Sequence, residues 1–178
     1  MTKGESVNPI ARPMLPAEAS LIVDYFHGAS PEFLHSLGVD PAKLLPRERW
    51  CAHYDREFAL PVEQRKSFLV LWELERAPIG FSTADKIEIG KQAFMHLHIF
   101  APERRRQGSG AALVRQTARI YFDTLRIDEL FCEPYALNVA PNRTLQKAGF
   151  SYVMTHETVP GPLNFHQLVN RWMLRRER

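Results

Sequence analysis

Apolar residues change their spacing several times along the chain, and these changes divide it into predicted strands and helices. Residues 67–75 (SFLVLWELE) form a compact β-branched and aromatic run, which is typical of a buried strand. After a turn at 76–78, two more apolar runs follow at 79–84 and 93–100. We expect these three runs to form consecutive antiparallel strands.

The spacing becomes helical after residue 109. Four apolar side chains recur at i, i+4, i+7 and i+11, which places them on one face of a helix over 109–125. These residues are Val114, Ala118, Tyr121 and Leu125. The change from strand to helix takes place at a Gly-Ser-Gly sequence.

The C-terminal part alternates short strands with one more helix. Residues 130–133 predict a short strand, and Pro141 suits the first turn of a helix that Gly149 can end. Residues 150–155 are again extended, and residues 165–174 alternate as a last strand does. This part is expected to contribute three strands to the sheet.

The N-terminal third predicts mostly helix. A short extended start precedes Pro16, which opens a segment with apolar residues at helical spacing. Residues 31–60 predict two or three short helices, rich in aromatic and histidine side chains. Trp50, Tyr54 and Phe58 are spaced i, i+4 and i+8, so they form either the buried face of a helix or part of a pocket wall.

The resulting order is strand, helices, three strands, helix, strand, helix and two strands. Without an internal repeat or a linker, this order predicts a single mixed α/β domain over residues 1–178. Hydrophobic residues make up 45% and charged residues 24% of the 178 residues, which suits one globular domain with a sizeable core.

Composition also narrows the classes of function. A net charge of +3 gives no case for nucleic-acid binding. No apolar run approaches the roughly 18 residues of a membrane-spanning helix. Cys51 and Cys132 lie far apart and outside any C-x-x-C motif. We therefore expect a soluble, cytoplasmic protein with free thiols, no metal and no membrane contact.

The segment from strand to helix over residues 94–113 (FMHLHIFAPERRRQGSGAAL) carries the most specific chemistry. Its glycines let successive backbone N–H groups turn into one concavity, and the helix adds the positive end of its dipole. Its arginines supply forked donors for phosphate oxygens. No Lys-Ser/Thr pair follows the glycines, and the spacing is not G-x-G-x-x-G, so neither the P-loop nor the Rossmann motif fits.

Two motifs resemble those of the GNAT family of N-acetyltransferases. The first is residues 105–110 (RRQGSG), which match the family's R/Q-x-x-G-x-G/A loop. The second is residues 138–150 (NVAPNRTLQKAGF), similar to the family's Asn followed by a helix that ends in Gly-Phe. The similarity covers residues 68–174, and the fragments MHLHIF, CEPYALNVAPN and NRWML look closest to a bacterial branch near the ribosomal-protein N-acetyltransferases.

The resemblance implies a fold and a cofactor site. The fold is a mostly antiparallel sheet of six to seven strands, splayed between strands four and five and flanked by helices. Acetyl-CoA is the implied co-substrate, with its pantetheine arm along strand four and its pyrophosphate on the glycine loop. The implied cofactor-binding residues are His98, Ile99, Phe100, Arg105, Arg106, Gln107, Gly108, Ser109, Gly110, Ala111, Asn138 and Asn142. Asn138 could instead cap the helix that Pro141 opens.

The implied reaction is direct transfer of the acetyl group to a primary amine within a ternary complex. A protonated amine has no lone pair, so a base or a water chain must remove a proton. Glu133 matches the base position of the ribosomal-protein alanine acetyltransferases, or is an ordinary paired carboxylate. His96 lies where many members place a base, although it and His98 could both be core histidines. The relatives' tyrosine acid is Leu145 here, and Tyr135 is the candidate replacement.

The resemblance also divides the domain by role. Residues 16–60 are the helical acceptor-side segment, residues 67–155 the cofactor-binding core, and residues 160–178 the C-terminal loop and strand. The acceptor is an amine of a small molecule or of a peptide. The sequence does not decide between these two kinds of acceptor. It also does not decide whether the protein is a monomer or a homodimer.

Two other interpretations stay open. Gly90, His96, His98, Glu103 and Gly110 reproduce the spacing G-x5-H-x-H-x4-E-x6-G of cupins, which bind metal in a β-barrel. Two predicted helices lie where a barrel needs strands, however, and the second cupin motif lacks its glycine. The other interpretation is a non-catalytic, acetyl-CoA-binding GNAT-like module that has lost its acid.

Overall fold

The computed structural model describes residues 8–100 and 109–177, in which seven strands form one sheet. The strands are β1 (Ile10–Pro13), β2 (Phe68–Leu74), β3 (Ala77–Glu88), β4 (Gln92–Ile99), β5 (Glu129–Cys132), β6 (Ser151–Thr158) and β7 (Gln167–Arg175). The helices are α1 (Ser20–His27), α2 (Pro31–Ser36), α3 (Arg47–Ala59), α4 (Gly110–Leu125) and α5 (Val139–Ala148).

The strands lie in the order β1-β2-β3-β4-β5-β7-β6. In the described part of the chain, neighbouring strands run antiparallel except β4 and β5, which are parallel. The parallel pair is possible because the connection between these two strands contains α4. The predicted run of three antiparallel strands is β2, β3 and β4, and the predicted fold class is confirmed.

The larger core lies on the sheet face that α4 covers. Trp72 and Leu130 point to this face and are at most 1% exposed. The predicted apolar stripe of α4 is buried there as well, at Val114, Ala118, Tyr121 and Leu125. Trp72 Nε1 donates to Thr117 Oγ1 at 2.8 Å, which satisfies the polar atom that the indole brings into the core.

A buried hydrogen-bond chain ties α4 to β4. Tyr121 Oη donates to Ser82 Oγ at 2.9 Å, and Ser82 Oγ donates to the backbone oxygen of His96 at 2.7 Å. Burial raises the pKa of Tyr121 well above its usual range, so the hydroxyl keeps its proton and remains a donor. The chain therefore fixes the backbone of β4 at His96.

The opposite sheet face packs against α1 and α3. Phe26 of α1 and Trp50 of α3 stack with ring centroids 5.5 Å apart, and Phe81 of β3 packs edge-on against Phe26. Trp50 and Tyr54 are 5% and 6% exposed, whereas Phe58 is half-buried. Trp50 and Tyr54 therefore form the buried face of α3, as one interpretation predicted, and they also line a cavity, as the other did.

The C-terminal end of α5 agrees with the sequence-based prediction, whereas the proposed side-chain cap at its N-terminal end is not formed. Gly149 ends the helix in the left-handed region, with φ of 98°, and Phe150 N–H donates to Leu145 O at 3.1 Å. Asn138 precedes the first turn of α5, but its side chain makes no hydrogen bond to the helix. Asn138 is therefore not a side-chain cap.

Within residues 8–100 and 109–177, no helix is both long and apolar enough to cross a membrane.

Candidate active site

A cavity of about 440 Å³ lies on the α1–α3 side of the sheet, a volume typical of small-molecule sites. Strands β2 to β5 form its floor, α1 and α3 form one wall, and residues 160–164 lie at the other side. Residues at its apolar end include Phe26, Leu45, Trp50, Tyr54, Leu69 and Phe81. Residues at its polar end include Asp85, His96, Glu133, Tyr135, Asn138 and Gln167.

Two segments that are distant in sequence cover one side of the cavity together. Asp40 N–H donates to Leu163 O at 2.8 Å. The backbone oxygen of Gly38 accepts from Asn164 Nδ2 at 2.9 Å and from Gln167 Nε2 at 2.7 Å. These bonds connect the segment after α2 to the loop before β7, so neither segment can open without releasing the other.

A gap opens between β4 and β5 beside the cavity. Pairing of the two strands extends to Met95 and Cys132, while β4 continues to Ile99. Phe100 N–H donates across to β3 at 3.0 Å. Because the polar backbone groups of a strand alternate in direction, those of Leu97 and Ile99 point away from β3 and into the gap.

The direction of the backbone groups differs among His98, Ile99 and Phe100, the three residues that the resemblance assigned to the pantetheine arm. The backbone of Ile99 faces the gap, whereas the backbones of His98 and Phe100 face β3. Leu97, which the sequence analysis did not select, has the same orientation as Ile99. If the register of β4 against β3 had been known, the alternating direction of the backbone groups would have identified Leu97.

The glycine loop is described in part. Arg105, Arg106, Gln107 and Gly108 lie outside the described residues. Ser109 precedes α4, Gly110 is its first residue, and Ala111 follows. A Cβ at Gly110 would lie 3.3 Å from Thr144 Cγ2 of α5, so the glycine allows the start of α4 to approach α5 closely.

His96 and Asp85 face each other on the cavity floor. Nε2 of His96 lies 3.1 Å from Oδ2 of Asp85, with about a fifth of each side chain exposed. The two atoms are close but not aligned for a hydrogen bond. Gly161 packs against the imidazole, since a Cβ there would lie 3.2 Å from His96 Cε1. Lys86 Nζ donates to Pro160 O at 2.8 Å and holds this loop near the histidine.

Glu133 has a buried and paired carboxylate. Its side chain is 2% exposed, and Oε1 accepts a hydrogen bond from Arg171 Nε at 2.6 Å. His156 Nε2 lies 3.3 Å from the same oxygen. The charge of the carboxylate is therefore paired with Arg171, and the contacts with Arg171 and His156 both involve Oε1.

Tyr135 lies in the loop after β5 and lines the cavity. Its ring packs edge-on against Phe165, with centroids 6.0 Å apart, and its backbone forms a β-bridge with Val169 of β7. These contacts hold the tyrosine in the lining of the cavity, to which His96 and Glu133 also belong.

The two predicted asparagines have different environments. Asn138 lines the cavity, but Asn142 is not among the lining residues. Asn142 Nδ2 donates to the backbone oxygens of Asn138 at 2.8 Å and Tyr135 at 3.3 Å. Asn142 Oδ1 accepts from Asn170 Nδ2 at 3.0 Å and Trp172 Nε1 at 2.8 Å. Because a primary amide donates two hydrogen bonds and accepts two, Asn142 is fully used in holding this loop against β7.

His98 lies deeper in the apolar part of the site than His96. Its ring stacks on Phe81 with centroids 4.9 Å apart and packs edge-on against Phe26 at 5.2 Å. The cupin interpretation of these histidines is wrong, because the sheet is open, contains a parallel pair and is covered by α4. Glu103, the carboxylate of that pattern, lies outside the described residues.

Leu145 and Cys132 are core residues next to the site. Leu145 is 0% exposed and packs in the larger core, where it provides no proton donor. Cys132 is 3% exposed, and burial raises the pKa of its thiol well above the usual range, which keeps it neutral. Cys132 and Cys51 are both free thiols.

Asp85, Arg171, His156 and Gln167 are site residues that the sequence analysis missed. Asp85 was detectable in principle, because Thr83 pairs with His96 across the β3–β4 hairpin and Asp85 lies two residues further on the same face. Arg171 lies on β7 and His156 on β6, both far from Glu133 along the chain. They lie near Glu133 only because the strands are arranged in the order β5, β7, β6.

The same fold occurs in solved structures of CoA-binding acetyltransferases. The ribosomal L7/L12 alpha-N-protein acetyltransferase RimL in complex with coenzyme A has a TM-score of 0.74 at 14% identity, covering 96% of this chain and 95% of that one. Spermidine N-acetyltransferase from Vibrio cholerae, in complex with CoA and spermine, has a TM-score of 0.74 at 15% identity, covering 94% and 95%. The aminoglycoside acetyltransferase AAC(6')-Ib in complex with coenzyme A has a TM-score of 0.70 at 14% identity, covering 95% of each chain.

The chain belongs to the acetyltransferase (GNAT) family, whose model matches residues 30–150. This match includes β2 to β5, α4 and α5, and therefore both sequence motifs. No curated protein sequence is significantly similar to the chain.

Proposed function

We propose that the protein is an acetyl-CoA-dependent N-acetyltransferase that transfers the acetyl group to a primary amine within a ternary complex. The observation that carries the proposal is the separation of β4 from β5 beyond Met95 and Cys132, beside a cavity that an amine can occupy. Membership of the acetyltransferase family supports acetyl-CoA as the donor, as do structural neighbours that bind coenzyme A.

The residues around the gap suit acetyl-CoA. The polar backbone groups of Leu97 and Ile99 face the gap and can pair with amide groups of a pantetheine arm, as they would with a neighbouring strand. Beyond β4 the sequence supplies Arg105, Arg106 and Gly108, residue types that bind phosphate ahead of a helix N-terminus. Acetyl-CoA supplies an activated thioester, and the protein's task is to position the amine and move two protons.

His96 is the first candidate for the base that deprotonates the amine. It lines the cavity, and Asp85 lies 3.1 Å from its Nε2. The carboxylate of Asp85, which lies close to Nε2, stabilises the imidazolium that forms when the ring takes the proton. Glu133 is the second candidate, but its ion pair with Arg171 favours the charged carboxylate and makes it a weaker base.

Tyr135 is the candidate for protonating the leaving thiolate. It lines the same cavity, and a phenol is a hydrogen-bond donor at neutral pH. Leu145 cannot take this role, because its side chain is apolar and buried in the core. Asn138, which also lines the cavity, is left to contact the substrate or the donor through its amide.

Calorimetric titration with acetyl-CoA tests the proposal, with dephospho-CoA as a comparison. We expect stoichiometric, micromolar-range binding of acetyl-CoA, weaker binding of dephospho-CoA, and release of coenzyme A thiol once an acceptor amine is added. Gly108→Val should abolish binding by crowding the phosphates, while circular dichroism and the melting temperature remain those of the wild type. Absence of binding to the wild type, or unchanged affinity in Gly108→Val, would contradict the assignment.

A further inference from the structure

The walls of the cavity indicate which amine it accepts. We propose that the acceptor is a small monoamine with an apolar body, bound with its nitrogen towards Asp85 and His96 and its body between α1 and α3. This inference rests on the proposed function and names the substrate class of the same site.

The end of the cavity away from β5 is built for an apolar group. Phe26 and Trp50 stack there, and Tyr54 lies one helical turn after Trp50. Leu69 lines the floor and Leu45 the rim, so aliphatic side chains complete the enclosure. An alkyl chain or an aromatic ring gains by leaving water for such surroundings, whereas a second ammonium group would lose its hydration without a partner.

The charges around the cavity argue against a polycation. Among the described residues that line it, Asp85 and Glu133 are the acidic ones. Oε1 of Glu133 already accepts a hydrogen bond from Arg171. Lys43 adds a cation to the lining, with Nζ donating to Asn164 O. Arg171 offsets the charge of Glu133, so Asp85 is the lining carboxylate without an arginine or lysine partner among the described residues. One such carboxylate matches one ammonium group.

The carboxylate of Asp85 can accept hydrogen bonds from an ammonium group. Its Oδ2 faces His96, and within the described part of the chain Oδ1 accepts no hydrogen bond. A primary ammonium has three N–H donors and needs acceptors once it leaves water. The nitrogen of a monoamine at this position would also lie next to the imidazole of His96.

The covering segments favour a small molecule over a peptide. Gly38 and Asp40 are bonded to the loop that contains Leu163 and Asn164, over the same cavity. These bonds narrow that side of the cavity, so a compact amine fits beside them more readily than a peptide chain does.

Rates of coenzyme A release distinguish these acceptors. We would compare 2-phenylethylamine and hexylamine with spermidine, kanamycin and a hexapeptide with a free N-terminus. The apolar monoamines should have a kcat/KM at least about tenfold higher than the other three. An equal or higher kcat/KM for spermidine, kanamycin or the peptide would overturn the proposal, as would turnover of none of the amines by protein that binds acetyl-CoA.

A variant tests the charge argument directly. Leu45 lines the cavity and is 40% exposed, so Leu45→Glu adds a carboxylate at the rim with little effect on folding. It should raise kcat/KM for spermidine and lower it for hexylamine, because the new carboxylate replaces part of the apolar rim that would hold the alkyl chain. Leu15→Glu is the matched control, because Leu15 is 59% exposed and away from the cavity. Unchanged spermidine turnover in Leu45→Glu would contradict the charge argument.

Calorimetry with acetyl-CoA, performed beforehand, separates two kinds of failure. Protein that does not bind acetyl-CoA removes the proposed function itself. Protein that binds acetyl-CoA but prefers spermidine, kanamycin or the peptide removes the assignment of an apolar monoamine and leaves the N-acetyltransferase.

Discussion

Nε2 of His96 lies 3.1 Å from Oδ2 of Asp85, on two adjacent strands and at the floor of the cavity. The backbone of His96 is held from the opposite side of the sheet by Ser82 Oγ, which in turn accepts from Tyr121 Oη. The imidazole therefore projects from a fixed backbone position towards the carboxylate of Asp85. An arrangement of this kind suits a group that must accept a proton in one orientation.

Replacing His96 with Gln should lower kcat by about 100-fold, the lower range for loss of a general base. Acetyl-CoA affinity should stay within about twofold of wild type, because the side chain of His96 points to the acceptor cavity. Stopped-flow measurement of thiol release and calorimetry check the two quantities. His166→Gln is the matched control, since His166 is exposed and outside the cavity lining. A wild-type kcat in His96→Gln would assign the base elsewhere.

Asp85→Asn tests the carboxylate that faces His96. We expect kcat to fall by about 10-fold or more, because an amide does not stabilise an imidazolium. NMR of the ¹⁵N-labelled imidazole should show a changed Nε2 signal in the variant, because Oδ2 of Asp85 lies 3.1 Å from Nε2 in the wild type. If the Nε2 signal is unchanged while kcat falls, Asp85 contacts the substrate instead of acting through His96.

Glu133→Gln separates catalysis from structure at the second candidate base. The neutral amide cannot match the buried bond to Arg171, so we expect a loss of about 2 kcal/mol in the free energy of unfolding. If Glu133 is the base, kcat should also fall while acetyl-CoA binding is kept. Urea unfolding and steady-state kinetics at several pH values check both effects. Reduced stability with full turnover across the pH range would leave Glu133 a structural role alone.

Leu145→Tyr introduces the tyrosine that the resembling acetyltransferases carry at this position, but this tyrosine should not act as the acid that protonates the thiolate. Leu145 is 0% exposed among core side chains, so the larger ring would overpack the core at a cost of about 1–3 kcal/mol. We expect a lower melting temperature and no gain in kcat. Tyr135→Phe is the informative comparison, since it removes a phenol that lines the cavity. A rise in kcat with Leu145→Tyr would show that the new hydroxyl reaches the leaving thiolate.

Tyr54 should make stability depend on alkaline pH. Burial raises the pKa of Tyr54 to about 12, whereas the unfolded chain ionises near the ordinary value of about 10. The folded state thus holds the proton more tightly, and its contribution to stability is complete below about pH 10 and lost as the pH rises towards about 12. The loss should be on the order of 1 kcal/mol per pH unit.

Urea unfolding of Tyr54→Phe, measured from about pH 9 to about pH 11.5, should show a shallower decline than the wild type because the phenol is gone. Tyr121 and Cys132, whose pKa values burial also raises, remain in both proteins, so the difference between the two curves belongs to Tyr54. Parallel curves for the two proteins would contradict the raised pKa.

Much of the fold could be predicted from local sequence. The run SFLVLWELE became β2, the stripe from Val114 to Leu125 became the buried face of α4, and Gly149 ends α5. These features depend on period, side-chain shape and backbone freedom within a few residues, so the sequence pattern reports them directly. The family motifs extended the prediction to the sheet and to its separation between β4 and β5, both of which the structure has.

The candidate site was predictable only in part. His96, Glu133, Tyr135 and Asn138 were selected from their positions relative to the motifs, and all four line one cavity. Asn142 was selected on the same basis, yet its amide is used in four hydrogen bonds inside the protein. A position in a motif cannot show whether a side chain faces a ligand or its own neighbours.

The sequence by itself determined the element order, the start of a helix near Gly110 and the family, because each depends on residues that are close along the chain. The tertiary structure decided that Asp85 meets His96, that Arg171 pairs with Glu133, and which backbone groups of β4 face the gap. It also decided that segments more than a hundred residues apart cover one side of the cavity together. These contacts depend on strand order and register, which arise when the whole core packs and not from any local stretch of sequence.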